Sequence, residues 1–305
     1  MKSMLNEQVV GREKELDFML IALLQGGHVL LESVPGSGKT WMAKAFAAAF
    51  DGAFHRLQFT PDVLPSDVTG IRFYNPKEQR FELRPGPVMA NLLLADEINR
   101  ATPRTQSSLL EAMEEKQATI DGETVRLPDP FMVIATQNPV ESQQGTFPLP
   151  AAQLDRFLFR LEIGYPSEAE ELRIIRGFRG GQSRRRFSGL TATQEDVRRW
   201  MAAVGEVQVH EDIEKYIVAL VRASREHEAV ELGLSSRAGL ALANAAQGKA
   251  YLDGRSFVTP DDVKAVFEPV SLHRILLTPE SSLIHEAATI IRNIRDGVPA
   301  PVEVI

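Results

Sequence analysis

The stretch His28 to Thr40, HVLLESVPGSGKT, constrains this chain more than any other. Val29, Leu30 and Leu31 form a short apolar run of the kind that fills a fully buried parallel strand. The run breaks into Pro35-Gly36-Ser37-Gly38, reaches Lys39-Thr40 and continues as the helix-compatible WMAKAFAAAF. Strand, glycine loop and helix in that order are what a phosphate-binding loop requires. Gly36 and Gly38 let the backbone turn tightly and aim successive N–H groups into one concavity, where a chain of phosphates can sit. Lys39 adds a fixed positive charge for the outer phosphates, and the Thr40 hydroxyl is placed to ligate Mg²⁺. A turn that merely happens to contain glycines is the alternative; the flanking strand and helix weigh against it. Ser33 occupies the first glycine position of G-x-x-x-x-G-K-T, but serine is small and the two glycines nearest the phosphates remain. The stretch reads as a nucleotide site.

A second apolar run, Leu92 to Ala95, ends in Asp96-Glu97. In open α/β sheets the ligand lies beyond the carboxyl ends of the strands, so these acids should face the phosphate loop. Asp96 suits the Mg²⁺ shell, and Glu97 can orient and polarise an attacking water. Two acids at a strand end are common, and the upstream loop is what gives them weight. A third run, FMVIA, leads into Thr136-Gln137-Asn138-Pro139 and brings Asn138 to a strand end beside the acids. FHRLQFT and FLFRLEI are further strand candidates, and Asp51-Gly52 reads as a turn. Two hairpin patterns interrupt the order: IRFYN and RFELR around Pro76–Gln79, and ATI and ETVRL around Asp121-Gly122. Propensity alone leaves the first hairpin open between a working element and an idle surface feature.

Length and composition bound the rest. A chain of 305 residues can hold two cores, and 44% apolar with 25% charged residues is ordinary for a globular protein. With no cysteine there is no disulfide framework and no thiolate metal site, and the six histidines lack ligand spacing. No apolar run reaches membrane-spanning length, the start MKSMLNEQ is too polar for a secretory signal, and the cytoplasm is the expected home. A formal charge of −7 gives no general pull toward nucleic acid.

The phosphate loop, LLLADEINR, ATQNP and PLPAAQLDRF, in this order and spacing, resemble an AAA+ ATPase of the MoxR type. The likeness continues through LSSRAGLALANAAQGKAYLDGR and VTPDDV and so covers nearly the whole chain. It implies an ATP hydrolase that forms a homo-oligomeric, hexameric ring with ATP at subunit boundaries. Glu97, Asn138 and Arg156 then match the water-activating acid, the polar sensor-one residue and the arginine finger, and Arg237 matches the sensor-two arginine. Val9-Val10-Gly11 matches the segment that meets the adenine, and the hairpins match inserts that face a central pore in similar proteins. Ala151 departs from the glutamate usual before A-Q-L-D-R-F. MoxR-like ATPases resemble chaperones and commonly work with proteins bearing a von Willebrand factor A domain. The implied function is ATP-driven remodelling or maturation of a partner protein. A ring-shaped nucleic-acid motor and a metal-chelatase-type subunit are the alternatives.

Arg160 is a competing finger, and Arg156 could simply pair with Asp155. Arg160 sits in a strand pattern whose neighbours alternate between faces, which favours Arg156. Arg237 stands in the first turn of a helix, a poor place for a cation, which points to an anion nearby. The Arg184–Arg186 run beside Gly180-Gly181 reads as a solvated linker with no ligand. Ser167 with Glu170 forms a capping-box pattern just after Tyr165-Pro166, and strand signals nearly vanish beyond it. The expected fold is α/β, a doubly wound parallel-sheet P-loop AAA+ core over residues 1–165 followed by an all-α lid over 166–305.

Overall fold

The computed structural model describes residues 1–34, 36–138, 145–179 and 191–301. Pro35 of the phosphate loop and the Arg184–Arg186 run lie outside them. Five strands form the central parallel sheet: β1 (Val29–Ser33), β2 (Phe54–Gln58), β3 (Leu92–Asp96), β4 (Met132–Gln137) and β5 (Phe159–Ile163). Their spatial order is β5-β1-β4-β3-β2. β1 and β3 are buried along their whole length, and β4 is buried up to Gln137. That is why these strands read as unbroken apolar runs. β2 is the edge strand, FHRLQ, and its polar residues sit where one side needs no cover. The chain leaves β1 toward β2 at one edge and leaves β4 toward β5 at the other. Such a divergence opens a crevice at the carboxyl ends of β1 and β4.

The opposite, amino-terminal ends are pinned by buried polar side chains. His28 precedes β1; its Nδ1 accepts the Val133 N–H at 3.0 Å and its Nε2 bonds the Met113 carbonyl at 3.2 Å. Asn91 precedes β3, accepts the Ala53 N–H at 3.0 Å and donates to the Pro130 carbonyl at 2.8 Å. These contacts align the strands at the end away from Asp96 and Asn138.

Both expected hairpins form, Gly70–Asn75 with Arg80–Pro85 and Gln117–Ile120 with Glu123–Arg126. The Arg72 N–H donates to Asp121 at 3.1 Å, and the Arg72 guanidinium pairs with Glu123, so the two are tied together. The first leaves Ile71, Phe73, Tyr74, Phe81 and Leu83 exposed, with the Tyr74 and Phe81 rings edge to face at 5.5 Å. Asp51-Gly52 turns the chain as expected, the Gly52 N–H donating to the Phe50 carbonyl at 3.0 Å, and Asp51 also belongs to a short strand. Phe50–Asp51 pairs in parallel with Ala192–Thr193, a partner so distant in sequence that no local pattern announces it.

The chain divides into two compact units. The first comprises residues 1–20, 28–149 and 161–198; the second comprises 21–27, 150–160 and 199–305. The second is built on helices Glu211–Glu226, Ser236–Leu252, Pro260–Ser271 and Ala287–Gly297, with a short antiparallel pair, Val230–Leu232 with Leu276–Leu277. Ile213, Ile217, Leu220, Leu242, Val266, Phe267 and Ile291 fill its core. Two of its helices start on side-chain caps: the Ser235 hydroxyl accepts from the Ala238 N–H, and Thr259 with Asp262 closes a capping box. No helix among the described residues is long and apolar enough to cross a membrane.

Candidate functional site

β1 delivers the chain to Gly36 and Gly38, whose φ angles of 81° and 87° lie in the left-handed region. Glycine adopts that region without penalty. A Cβ at either position would meet nothing within 4 Å, so both glycines border open space. Gly38 caps the helix Lys39–Ala48, and Lys39 and Thr40 are its first two residues. The first N–H groups of a helix have no partner within it and carry a partial positive charge. Ser33 and Ser37 are buried, and their hydroxyls have no hydrogen-bond partner. An open glycine cradle, a helix N-terminus, a lysine and an unpartnered hydroxyl together fit a polyphosphate.

The acids emerge beside this loop through the sheet register. Leu31 on β1 lies opposite Thr136 on β4, and Ala95 on β3 lies opposite Ala135 on the other side of β4. Asp96 is almost fully buried, and its Oδ1 accepts the Thr136 hydroxyl at 2.6 Å. The Glu97 N–H donates to the same hydroxyl oxygen at 2.9 Å. Glu97 itself is left-handed, with φ 57° and ψ 51°. A non-glycine residue held there marks a backbone constrained by its surroundings, a feature that gathers at functional sites. Its Oε2 accepts from Gln58 at 2.9 Å and from Arg100 at 3.1 Å. Asn138 is buried immediately after β4, and Gln137 bonds Glu32 on β1. Thr136, Arg56, Gln58 and Arg100 were not singled out by the sequence. The register of neighbouring strands brings Thr136, Arg56 and Gln58 to the acids, and the short turn Ile98–Arg100 brings Arg100 back to Glu97.

Among the described residues there is no group of three or more histidines and acids able to hold a metal ion by themselves. Mg²⁺ does not need one, since it takes one or two protein ligands and completes its shell with phosphate oxygens and water. Thr40 and the buried Asp96 carboxylate fit that donor set.

Val9 is buried, Val10 is half-buried and Gly11 has φ 69°. The Trp41 indole N–H, on the phosphate-loop helix, donates to the Gln8 carbonyl at 3.3 Å, so this segment lies against that helix.

Arg156 and Arg237 belong to the second unit. Arg156 follows the short helix Ala151–Leu154 and is half-buried. Asp155 takes Arg274 at 2.6 Å on Oδ1 and has the Arg237 Nε 3.7 Å from Oδ2. Within this unit Arg237 thus faces a carboxylate. Arg274, which no sequence pattern picks out, is 4% exposed and also donates to the Phe157 carbonyl at 2.6 Å. Arg160 donates weakly to the Leu272 carbonyl, at 3.5 Å.

Comparison with known proteins agrees with this arrangement. Residues 28–159 match the model of the ATPase family associated with various cellular activities (AAA), and residues 222–294 match an AAA lid domain. The uncharacterised protein YeaC of Bacillus subtilis is 48% identical over 300 residues, covering 98% of this chain and 93% of that one. Chaperone MoxR1 of Mycobacterium tuberculosis is 43% identical over 279 residues, covering 88% of this chain and 73% of that one. A crystal structure of a Cytophaga hutchinsonii protein superposes with a TM-score of 0.90 at 38% identity, covering 98% of this chain and 93% of that one.

Proposed function

The chain belongs to the MoxR-type AAA+ ATPases, and from that membership we propose that it hydrolyses ATP to drive chaperone-like remodelling or maturation of a partner protein. The observation that supports the reading is the pair of acids at the end of β3, both bonded to one Thr136 hydroxyl on β4, the strand between β3 and the phosphate-loop strand β1. In this reading the N–H groups around Gly36–Gly38 cradle the phosphates, and Lys39 offsets their outer charge. Thr40 and Asp96 hold Mg²⁺, which when bound neutralises charge developing on the transferred phosphoryl group. Glu97 orients water and takes its proton, and Asn138 holds that water or the outer phosphate. Val9, Val10 and Gly11 receive the adenine.

Arg156 acts on the site of a neighbouring subunit in a hexameric ring, and Arg237 reports nucleotide state to the lid. The exposed aromatics of the first hairpin suit contact with a protein client, for which a von Willebrand factor A domain protein is the family's precedent. The relative named a chaperone supports a protein client over a nucleic acid.

The test compares three variants with the wild type. Glu97→Gln should keep ATP binding and lose hydrolysis by about 10²–10⁴-fold, the usual worth of a general base, whereas Lys39→Ala should lose affinity. Arg156→Ala should bind ATP and hydrolyse it poorly, and mixing it with Lys39→Ala subunits should restore part of the activity. Wild-type turnover by Glu97→Gln would overturn the chemistry. A mixture as inactive as its parts, after subunit exchange, would overturn the trans role of Arg156. Stimulation of the ATPase by DNA at low salt would favour a nucleic-acid motor instead.

A further inference from the structure

Arg274 follows the helix Pro260–Ser271, and its side chain is buried. A guanidinium has five N–H donors and no acceptor. Arg274 makes five bonds with them. Nε donates to Asp155 Oδ1 at 2.6 Å. One terminal nitrogen donates to the Leu158 carbonyl at 3.2 Å and to the Val270 carbonyl. The other donates to the carbonyls of Asp155 at 3.2 Å and Phe157 at 2.6 Å. Four of these five acceptors therefore lie on residues 155–158, the segment in which Arg156 stands. The fifth lies in the last turn of the helix, where a cation also suits the dipole. His273 brings its Nε2 to 2.9 Å from the same Phe157 carbonyl. All of these residues belong to the second unit.

We propose that Arg274 is a positioning residue for Arg156: it clamps the backbone on both sides of that residue and so fixes where the Arg156 guanidinium is presented to a neighbouring subunit. The inference rests on the trans role given to Arg156 above. Its ground is that the segment cannot hold its own shape. Ala151–Leu154 is a helix of four residues with none of them buried, far too short to be stable alone. Phe157 anchors the segment by burying its ring, but burial of an apolar ring has no direction. The carbonyl bonds do have direction, because the planar fork of a guanidinium meets its acceptors only at fixed positions. Stability alone does not call for a cation here, since a buried ion pair is often no better than apolar packing of the same volume. Arg255 shows what a local joint looks like: its bonds to Asp253, Phe257 and Asp262 all stay within its own stretch of chain. Arg274 instead reaches back 116 to 119 residues onto one short segment. Asp155 Oδ2 faces Arg237 as well, so one carboxylate beside Arg156 meets arginines from two stretches of the lid.

The experiment repeats the subunit-mixing assay with Arg274→Gln in the full-length chain. Alone, that variant should keep its KM for ATP within about threefold and lose kcat by about tenfold to a hundredfold, the cost of a misplaced catalytic group. Its own nucleotide site is intact, so Lys39→Ala subunits, which present an undisturbed Arg156, should restore part of the rate. Arg156→Ala subunits should restore none, because neither partner then presents a working finger. In an Arg156→Ala background, Arg274→Gln should cost little more, since a residue that acts only through Arg156 has nothing left to position. An Arg274 that merely stabilises the lid would damage its own subunit's site, raising KM and leaving no rescue by Lys39→Ala. Either of those results overturns the proposal, and so does a wild-type kcat in Arg274→Gln. If Arg274→Gln does not fold, Arg274→Lys decides by the same readings: it keeps the charge, but three donors on a flexible stem cannot span these carbonyls. Arg156→Ala mixed with Lys39→Ala is the control. If that pair gives no recovery, the trans role of Arg156 falls and takes the proposal with it; if it recovers and the Arg274 mixture does not, the Arg274 role alone falls.

Discussion

Thr136 is the residue at which the two acids at the end of β3 meet. Its hydroxyl donates to Asp96 Oδ1 and accepts from the Glu97 N–H, so one oxygen both fixes a buried carboxylate and props a left-handed peptide. Thr136→Val keeps the branched shape but strips both bonds. A buried carboxylate and a backbone N–H lose their partner together, which costs about 1–3 kcal/mol of stability. The larger effect should be on chemistry, because Glu97 is free to leave the backbone angle that presents it. Small misplacements of a catalytic group cost on the order of tenfold to a hundredfold in rate. Thr136→Val should therefore bind ATP close to normally, with kcat down by about that amount, while Thr136→Ser stays near wild type. A loss in Thr136→Ser with Thr136→Val near wild type would mean that the methyl group, not the hydroxyl, carries the role.

At the scale of elements, the parallel sheet divides stability from chemistry between its two ends. Asn91 shows the stability end: its amide joins the segments entering β2 and β4, and its own carbonyl accepts the Met132 N–H at 2.8 Å. Asn91→Ala leaves the buried Pro130 carbonyl unpaired and should cost about 1–3 kcal/mol in denaturant melts. Hydrolysis per folded molecule should hold, since the acids stand at the other end; a selective loss of kcat would show the two ends to be coupled. Much of this architecture was legible in the sequence. Val29–Leu31, Leu92–Ala95 and Met132–Ala135 announce themselves because central strands are buried on both faces. Capping signals are equally local: Ser167 with Glu170, Thr193 with Asp196 and Thr259 with Asp262 all form the bonds their spacing suggests. The rest depends on register. Arg56 meets Asp96 across 40 residues of chain, and Arg274 meets Asp155 across 119. No periodicity reaches that far, so an edge strand reading FHRLQ gave no sign that two of its side chains hold the acids.

The whole molecule carries one buried neutral histidine in each unit, and this sets how it responds to acid. His28 is pushed down to about 4, chiefly by burial, with Lys116 adding to the effect and the Met113 carbonyl opposing it. Its Nδ1 accepts from the Val133 N–H and cannot take a proton without losing that bond. His273 lies well below the ordinary histidine value, again chiefly through burial, with the Arg274 and Arg160 charges pushing the same way. Its Nε2 bonds the Phe157 carbonyl at 2.9 Å, and its buried Nδ1 has no partner. A histidine whose folded value is depressed binds fewer protons folded than unfolded below the unfolded value of about 6.5. The stability it contributes is present in full above about pH 6.5 and is lost as pH falls toward the folded value. For His28 the window closes near pH 4, and the loss across it is about 3 kcal/mol. Two units need two probes, because a single transition need not describe both. Trp41 belongs to the first unit and Trp200 to the second, so variants keeping only one tryptophan report each separately. Fluorescence-detected denaturant melts between about pH 7.5 and about pH 4.5 should show both units weakening as protons are added. His28→Gln should start less stable at neutral pH yet show a flatter profile at Trp41, with the Trp200 profile unchanged. A Trp41 slope as steep as in the wild type would rule out His28 as the titrating group.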